Sequence, residues 1–192
     1  MTPQFLLASQ SPRRQELLRQ LHYHFELRPA GIPEQAQPGE TSAHYARRLA
    51  LEKARAAQAL ATTPLPVLGA DTDVVLDGRI LGKPCDRADA LAMLAALSNR
   101  EHEVYSAVAV VQGGREEVAL SVTAVSFGEI APEAAARYWD SGEPADKAGA
   151  YGIQGIGAQF VKAIRGSYSG VVGLPLYETV QLLKKFNITP GI

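Results

Sequence analysis

Apolar segments of two kinds alternate along the chain, and this alternation constrains the fold more than any other feature. Short apolar runs typical of buried strands are separated by segments whose apolar residues recur at helical spacing. The predicted helices cover residues 12–21, 42–60, a segment capped by Asp86, 132–142 and 175–186. The predicted strands cover residues 5–8, 66–70, two short strands around Asp77-Gly78, 103–111 and 115–127. With no internal repeat, this order favours an α/β fold: a mixed sheet with flanking helices, in one domain or two lobes.

The composition excludes several classes of protein. The 192 residues carry 19 Lys plus Arg and 20 Asp plus Glu, so a net charge of −1 gives no general attraction to nucleic acid. A single cysteine, Cys85, excludes an intrachain disulfide and suits a reducing compartment. No apolar run approaches the roughly 20 residues that span a bilayer, and the N-terminus has no signal-peptide pattern. We therefore expect a soluble cytoplasmic protein without nucleic-acid or membrane partners.

Two adjacent arginines lie where a helix begins. In "LASQSPRRQELL", Ser9 and Ser11 are turn and N-cap residues, Pro12 suits the first helical position, and Arg13 and Arg14 follow in the first turn. Cations are disfavoured there by the helix dipole. The exposed backbone N–H groups of a helix N-terminus bind anions, and arginine adds bidentate donors for phosphate. The segment predicts either a phosphate site or two solvated arginines.

Further charged residues occupy positions that packing alone does not explain. Lys53 lies on the apolar stripe of the 42–60 helix, four residues after Leu49, where it either snorkels or points into a cleft. Asp71 and Thr72 follow the apolar strand "PVLGA", and we expect them at its C-terminal end, where open α/β sheets bind ligands. Asp71 could equally be a turn residue. Lys83 precedes a proline that holds its backbone extended.

A glycine-rich segment near the C-terminus carries further candidates. Eight of the 17 glycines lie between Gly142 and Gly173, which suggests backbone close to a ligand or in unusual dihedral angles. The segment also holds Asp146 and Lys147. It matches neither a Walker P-loop nor G-x-G-x-x-G, and the chain has no G-x-S-x-G motif and no paired histidine spacing for zinc.

Five sequence blocks together resemble the Maf family of nucleoside triphosphate pyrophosphatases. They are "LASQSPRRQELL", "RLALEKA", "GADTDVVLDGRILGKP", "DKAGAYGIQG" and "GSYSGVVGLPLYET". They occur in order over nearly the whole chain and look most like the branch that acts on dTTP and UTP. The resemblance implies a single domain over residues 1–192, a mixed α/β fold with a central cleft, a divalent cation (Mg²⁺ or Mn²⁺) and a cytoplasmic homodimer.

The resemblance also implies roles for individual residues. Asp71 matches the carboxylate regarded as the proton acceptor, and Glu34 with Asp71 is expected to hold the metal. The expected substrate-binding residues are Ser9, Arg13, Arg14, Lys53, Thr72, Lys83, Lys147 and Gln154. Two positions depart from the family pattern: Gln10 replaces a small residue, and Asp73 replaces an apolar residue. On a strand, Asp73 faces the same side as Asp71, so it either crowds the metal site or faces solvent.

The expected reaction is hydrolysis of a nucleoside triphosphate between its α and β phosphates. Within the family, the branch that acts on pyrimidine nucleotides is distinguished by arginine, threonine and glutamine at the positions that match Arg13, Thr72 and Gln154. The resemblance therefore implies dTTP and UTP as the substrates. Two alternatives stay open: a pyrophosphatase selective for purine or 7-methyl-GTP nucleotides, and a regulator that binds nucleotides without turnover.

Overall fold

The sheet has seven strands in residues 2–191, which are the residues described by the computed structural model. The strands are β1 (Phe5–Leu7), β2 (Phe25–Leu27), β3 (Val67–Leu76), β4 (Arg79–Leu81), β5 (Glu101–Gln112), β6 (Arg115–Phe127) and β7 (Val161–Arg165). Their order is β2-β1-β3-β5-β6-β7, with β4 also paired to β3. β1 runs parallel to β2 and β3, and the other pairs are antiparallel. The predicted mixed α/β fold is confirmed.

The helices begin close to the residues that the sequence indicates. They are α1 (Pro12–Gln20), α2 (Ser42–Ala59), α3 (Arg87–Leu97), α4 (Pro132–Asp140), α5 (Tyr168–Val172) and α6 (Leu176–Lys185). Ser11, Thr41 and Asp86 cap α1, α2 and α3 through their side chains. The short α5 was not predicted, because five residues inside a glycine-rich segment show no helical period. Among residues 2–191, no helix combines the length and apolar character that crossing a membrane requires.

Strand β3 corrects one prediction. The sequence suggested a strand at 66–70, followed by a separate hairpin, with Asp71 at the strand's C-terminal end. Instead, β3 continues through Asp71, because β5 pairs with every residue from Val67 to Val75. Asp71 nevertheless lies beyond the carboxyl end of the neighbouring strand β1. β1 pairs with β3 only at Val67 and Leu68, and β4 pairs from Val74 onward, so the intervening part of that edge of β3 borders a cleft.

The edge strands β2 and β7 were also missed by sequence reasoning. Both are short, with three and five residues, and most of their side chains are at least partly exposed. Apolar alternation is therefore weak in them, and their extended backbone depends on pairing with β1 and β6.

Helix α2 covers one face of the sheet alone, and it approaches very closely. Ala46, Ala50, Ala54 and Ala57 form a small-residue cluster against β1, β3 and β5. At Gly69 of β3, an added Cβ would lie only 2.2 Å from the carbonyl oxygen of Ala50. The other helices pack with the larger hydrophobic cluster on the opposite face. Because Gly69 has no side chain, α2 can pack directly on the middle of β3.

Candidate active site

A cleft of about 850 Å³ opens beside the middle of β3. It is bordered by the end of β1, the N-terminus of α1, one turn of α2, and the loop that follows α4. All ten residues that the sequence nominated line it: Ser9, Arg13, Arg14, Glu34, Lys53, Asp71, Thr72, Lys83, Lys147 and Gln154. The structure therefore brings together side chains that are spread over 146 positions of the chain, from Ser9 to Gln154.

Lys53 is the centre of the charge arrangement. Its ammonium lies 2.5 Å from Asp71 Oδ1 and 2.7 Å from Glu34 Oε1. The Lys53 side chain is only 13% exposed, so it points into the cleft from the apolar face of α2 and does not snorkel to bulk solvent. Burial raises the pKa of Glu34, but the hydrogen bond from Lys53 together with the positive charges of Lys53, Lys83 and Arg14 outweighs burial, and the net pKa is below the ordinary value. Glu34 is therefore ionised at neutral pH.

One oxygen of Asp71 is enclosed by the protein. The residue is 5% exposed, and its Oδ2 atom is buried and accepts no hydrogen bond from an N–H or hydroxyl group among residues 2–191. A buried carboxylate oxygen of this kind costs free energy unless a donor satisfies it. The neighbouring carboxyl group of Asp73 can supply that donor when it is protonated.

Asp73 lies on the same face of β3 and is buried, at 8% exposure. This excludes the possibility that it faces solvent. Burial first, and then the negative charge of Asp71, raise the pKa of Asp73 to about 9. Asp73 is not among the residues that line the cleft. It is thus a neutral carboxylic acid at pH 7, behind Asp71.

The two adjacent arginines have different surroundings. Arg14 donates from Nε to the carbonyl of Gly173 at 2.8 Å, from Nη1 to Ser9 at 3.2 Å and from Nη2 to Thr72 at 3.3 Å. Burial lowers the pKa of the Arg14 guanidinium, and the charge of Asp71 opposes that shift. Arg14 is held by the protein on several sides.

Arg13 is more open to the cleft. Its nearest charge partner is Asp146, at 3.6 Å across the cleft mouth. Lys147 follows Asp146 directly, and its ammonium bonds the Asp146 carboxylate at 2.7 Å and the Glu143 carbonyl oxygen at 2.6 Å. Lys83 is exposed and has no ion pair within the described residues. Arg13, Lys83 and Lys147 thus form a cationic rim at the mouth.

Gln154 is presented by a tight turn. The N–H of Gly155 bonds the carbonyl of Gly152, although at 3.4 Å, so Ile153 and Gln154 are the two central residues. Ile153 is buried in the core, whereas Gln154 is exposed and lines the cleft. The side-chain amide therefore faces the open space with both its donor and its acceptor available.

Among the cleft-lining residues that sequence reasoning did not nominate are Glu143 and Tyr151. Tyr151 lies under the Gln154 turn, and its hydroxyl is 2.8 Å from Nε2 of the buried His102. The carboxylate of Glu143 accepts hydrogen bonds from the same turn. Nothing local in the sequence indicates these contacts, because His102 is 49 positions from its partner.

The donor set suits a hard divalent cation in part. Among residues 2–191 there is no cluster of three or more His, Cys, Asp or Glu side chains placed to hold a metal. Mg²⁺, however, is commonly bound by one or two carboxylates together with substrate phosphates and waters. The carboxylate of Asp71 and the ionised, half-exposed Glu34 fit that smaller requirement.

Comparisons with known proteins point to one family. Relatives named dTTP/UTP pyrophosphatase include one from Saccharophagus degradans, 51% identical, covering 95% of this chain and 88% of that protein. One from Bordetella parapertussis is 52% identical, covering 97% and 94%, and one from Escherichia coli O157:H7 is 54% identical, covering 94% and 92%. A solved dITP/XTP pyrophosphatase from Mycobacterium abscessus is 22% identical, covering 94% of each chain, with a TM-score of 0.44. The family model described as Maf-like protein matches residues 4–186, and the chain belongs to the Maf family.

Proposed function

We propose that this protein is a nucleoside triphosphate pyrophosphatase that hydrolyses dTTP and UTP to the monophosphate and pyrophosphate. Relatives about half identical over nearly the whole chain carry that name. The observation that carries the proposal is the Asp71 carboxylate, oriented by Lys53, in a cleft lined by five cationic side chains. The activity that the relatives are named for favours turnover over a regulatory role.

The cationic rim accounts for binding of the triphosphate. A triphosphate carries about four negative charges, and Arg13, Lys83 and Lys147 can reach it from the mouth of the cleft. The N-terminus of α1 adds the backbone N–H of Arg13 and its positive dipole end, since Pro12 has no N–H and that of Arg14 is capped by Ser11. The Arg13–Asp146 contact is long, at 3.6 Å, and partly exposed, so phosphate can displace it at little cost. This arrangement places the leaving pyrophosphate among cations.

Asp71 acts as the general base in this proposal. Lys53 holds Oδ1 and fixes the orientation of the carboxylate, which accepts a proton from water in this proposal. The water then attacks the α-phosphorus in line with the departing pyrophosphate. Phosphoryl transfer depends mainly on positioning and charge neutralisation, which these residues supply.

Glu34 and Asp71 would hold the divalent cation, Mg²⁺ or Mn²⁺, that the family resemblance implies. When bound, such an ion neutralises phosphate charge and orients the oxygens of the substrate. Lys53 already bridges the same two carboxylates, so it keeps them together in the absence of metal.

In this proposal Gln154 recognises the nucleobase of the substrate, and Arg13 and Thr72 line the same cleft. The amide of Gln154 offers a donor next to an acceptor, which matches the N3–H and O4 of uracil and thymine. Cytosine presents the opposite pattern at these atoms. A site that hydrogen-bonds one edge rejects analogues, because its polar groups are otherwise left unpaired.

We also propose that the chain works as one domain and as a cytoplasmic homodimer, as the family resemblance implies. Light scattering coupled to gel filtration measures the mass of the assembly directly, and a particle of monomer mass at micromolar concentration would contradict the dimer.

A substrate panel tests the proposed function. The protein is incubated with Mg²⁺ and dTTP, UTP, dCTP, CTP, GTP or 7-methyl-GTP in water enriched in ¹⁸O, and the products are separated and weighed. We expect dTMP or UMP plus pyrophosphate, with the label in the monophosphate, and kcat/KM highest for dTTP and UTP. Comparable kcat/KM for the guanine nucleotides, release of a diphosphate with inorganic phosphate, or binding without turnover would each contradict the proposal.

A further inference from the structure

The turn that carries Gln154 is tied on both sides to the same two side chains, Glu143 and Tyr138. On its C-terminal side, the N–H of Ile156 donates to Glu143 Oε2 at 2.7 Å and the N–H of Gly157 donates to Oε1 at 3.0 Å. On its N-terminal side, the N–H of Gly152 donates to the hydroxyl of Tyr138 at 3.0 Å. That hydroxyl in turn donates to Glu143 Oε1 at 2.7 Å. One carboxylate therefore fixes both flanks of the turn.

The fit between this carboxylate and the turn leaves no room for a side chain. A Cβ added at Gly155 would lie 2.1 Å from Glu143 Oε2, and one at Gly152 would lie 2.8 Å from Cε of Lys147. Neither glycine has a positive φ angle. These two glycines therefore allow close approach to side chains of the protein, and both also line the cleft.

Glu143 also connects the turn to the cationic rim. It begins the short 3₁₀ turn Glu143–Asp146, and its backbone carbonyl accepts the hydrogen bond from the Lys147 ammonium. Glu143 thus contacts both Lys147, which is proposed to hold the phosphates, and the Gln154 turn, which is proposed to hold the nucleobase. The turn is held by the side-chain carboxylate and Lys147 by the backbone carbonyl, so a change confined to the carboxylate leaves the contact to the rim in place.

We infer that Glu143 is a positioning residue that sets the place of Gln154 relative to the phosphate-binding rim, and thereby controls selectivity for the base. The inference rests on the proposed function for the identity of the base. Glu143 itself has no role in the chemistry. Its carboxylate holds the backbone of residues 152–157 in the one arrangement that aims the Gln154 amide into the cleft.

Only an ionised carboxylate can fill this role. Glu143 accepts three hydrogen bonds from the protein, two at Oε1 and one at Oε2, and it donates none. Burial raises its pKa, but the bonds from Tyr138, Gly157 and Ile156 outweigh burial and keep the pKa below the ordinary value. A glutamine has the same shape but only one acceptor atom, and its NH₂ group would face a backbone N–H. Glu143→Gln should therefore weaken the hydrogen bonds that hold the turn, without changing the volume of the side chain.

The test compares Glu143→Gln with wild type and with Glu129→Gln, which makes the same chemical change at an exposed glutamate outside the cleft. The primary readout is the ratio of kcat/KM for dTTP to that for dCTP. We expect this ratio to fall at least about tenfold in Glu143→Gln, because displacements of about 1 Å cost on the order of 10²-fold. The inhibition constant of inorganic pyrophosphate, which contacts the rim only, should change less than about twofold.

Tyr138→Phe gives a graded second variant. It removes the hydroxyl between Gly152 and Glu143 but leaves the bonds to Ile156 and Gly157, so the loss of selectivity should be smaller. If Glu143→Gln keeps the wild-type dTTP to dCTP ratio, the inference is wrong. It is also wrong if pyrophosphate inhibition weakens in proportion to the loss of activity, since the defect is then a general one of folding.

Hydrogen exchange separates failure of this inference from failure of the proposed function. The amides of Ile156 and Gly157 bond the Glu143 carboxylate directly, so their exchange should accelerate at least about tenfold in Glu143→Gln and stay unchanged in Glu129→Gln. If wild type shows no preference among bases, the proposed substrate is wrong, and exchange alone then decides whether Glu143 positions the turn. Unchanged exchange of both amides would overturn the inference whatever the substrate.

Discussion

Lys53 Nζ lies 2.5 Å from Asp71 Oδ1, although the two residues belong to a helix and a strand on different layers of the fold. The contact depends on how closely α2 approaches β3, because Lys53 lies between Ala50 and Ala54, the two residues that pack on Gly69. Asp71 is two residues beyond Gly69 and faces the same helix. The contact between the proposed general base and Lys53, and the close packing of α2 at Gly69, are therefore parts of one structural unit.

Asp71→Asn should lower kcat by about 10²–10⁴-fold, the usual cost of removing a general base. The amide has nearly the same shape but cannot accept the proton from water, and the fold should persist. Steady-state hydrolysis of dTTP measures the effect. Asp77→Asn is the control, since Asp77 is exposed in a turn with φ of 51°, which asparagine tolerates. Retention of more than about a tenth of wild-type kcat in Asp71→Asn would contradict its role as base.

Lys53→Met should reduce kcat/KM by about 10²-fold or more, because the aliphatic stem remains on the apolar stripe while the ammonium is lost. The variant also leaves the buried charge of Asp71 without its partner, so the free energy of unfolding should fall by about 3 kcal/mol or less. Kinetics and urea unfolding measure the two effects.

Arg55→Met is the matched control for Lys53→Met, on the same helix. Arg55 pairs with Glu116 at 2.6 Å, but its side chain is 54% exposed, so the pair should contribute no more than about 1 kcal/mol. Equal activity of the two variants would show that Lys53 is only a packing residue.

Gly69→Ala should destabilise the protein by about 3 kcal/mol or more, since its Cβ would meet the Ala50 carbonyl oxygen at 2.2 Å and force α2 away from the sheet. Activity should fall as well, because Lys53 moves with the helix. Gly114→Ala, which has no atom within 4 Å of the added Cβ, should change the free energy of unfolding by less than about 0.5 kcal/mol. Similar melting temperatures for both variants would contradict the close approach of α2.

His102 predicts a pH dependence of stability. Burial lowers its pKa from 6.5 to about 4 in the folded protein. Between these pH values the unfolded chain takes up a proton that the folded protein does not, so stability falls as the pH decreases, by up to about 1.4 kcal/mol per pH unit. His102→Gln does not titrate and keeps a donor for the hydroxyl of Tyr151. Urea unfolding at pH 7 and pH 5 should therefore show a shallower loss in the variant, and parallel losses would contradict the prediction.

The sequence predicted the longer helices well because caps and helical period are local signals, as at Ser11 and Asp86, whereas the short α5 was missed. It failed at β3 because Asp71, Thr72 and Asp73 break the apolar pattern, and their partners come from distant segments. The grouping of all ten site residues came from the family resemblance, with physical support at Arg13, Lys53 and Asp71. Glu143 could not be predicted, because its function depends on backbone N–H groups that fold onto it 13 and 14 residues later.

Arg14 already has three protein acceptors for its five N–H donors: the Gly173 carbonyl, Ser9 and Thr72. Its rotamers are thus restricted when the chain folds, at a cost in side-chain entropy of about 1.5–2 kcal/mol that no longer has to be met on binding. The two remaining donors meet an incoming anion without further ordering. Arg13, with one long contact, still has that rotamer freedom to lose. The entropy cost of ordering Arg14 is therefore met once, during folding, whereas that of ordering Arg13 should be met each time the substrate binds.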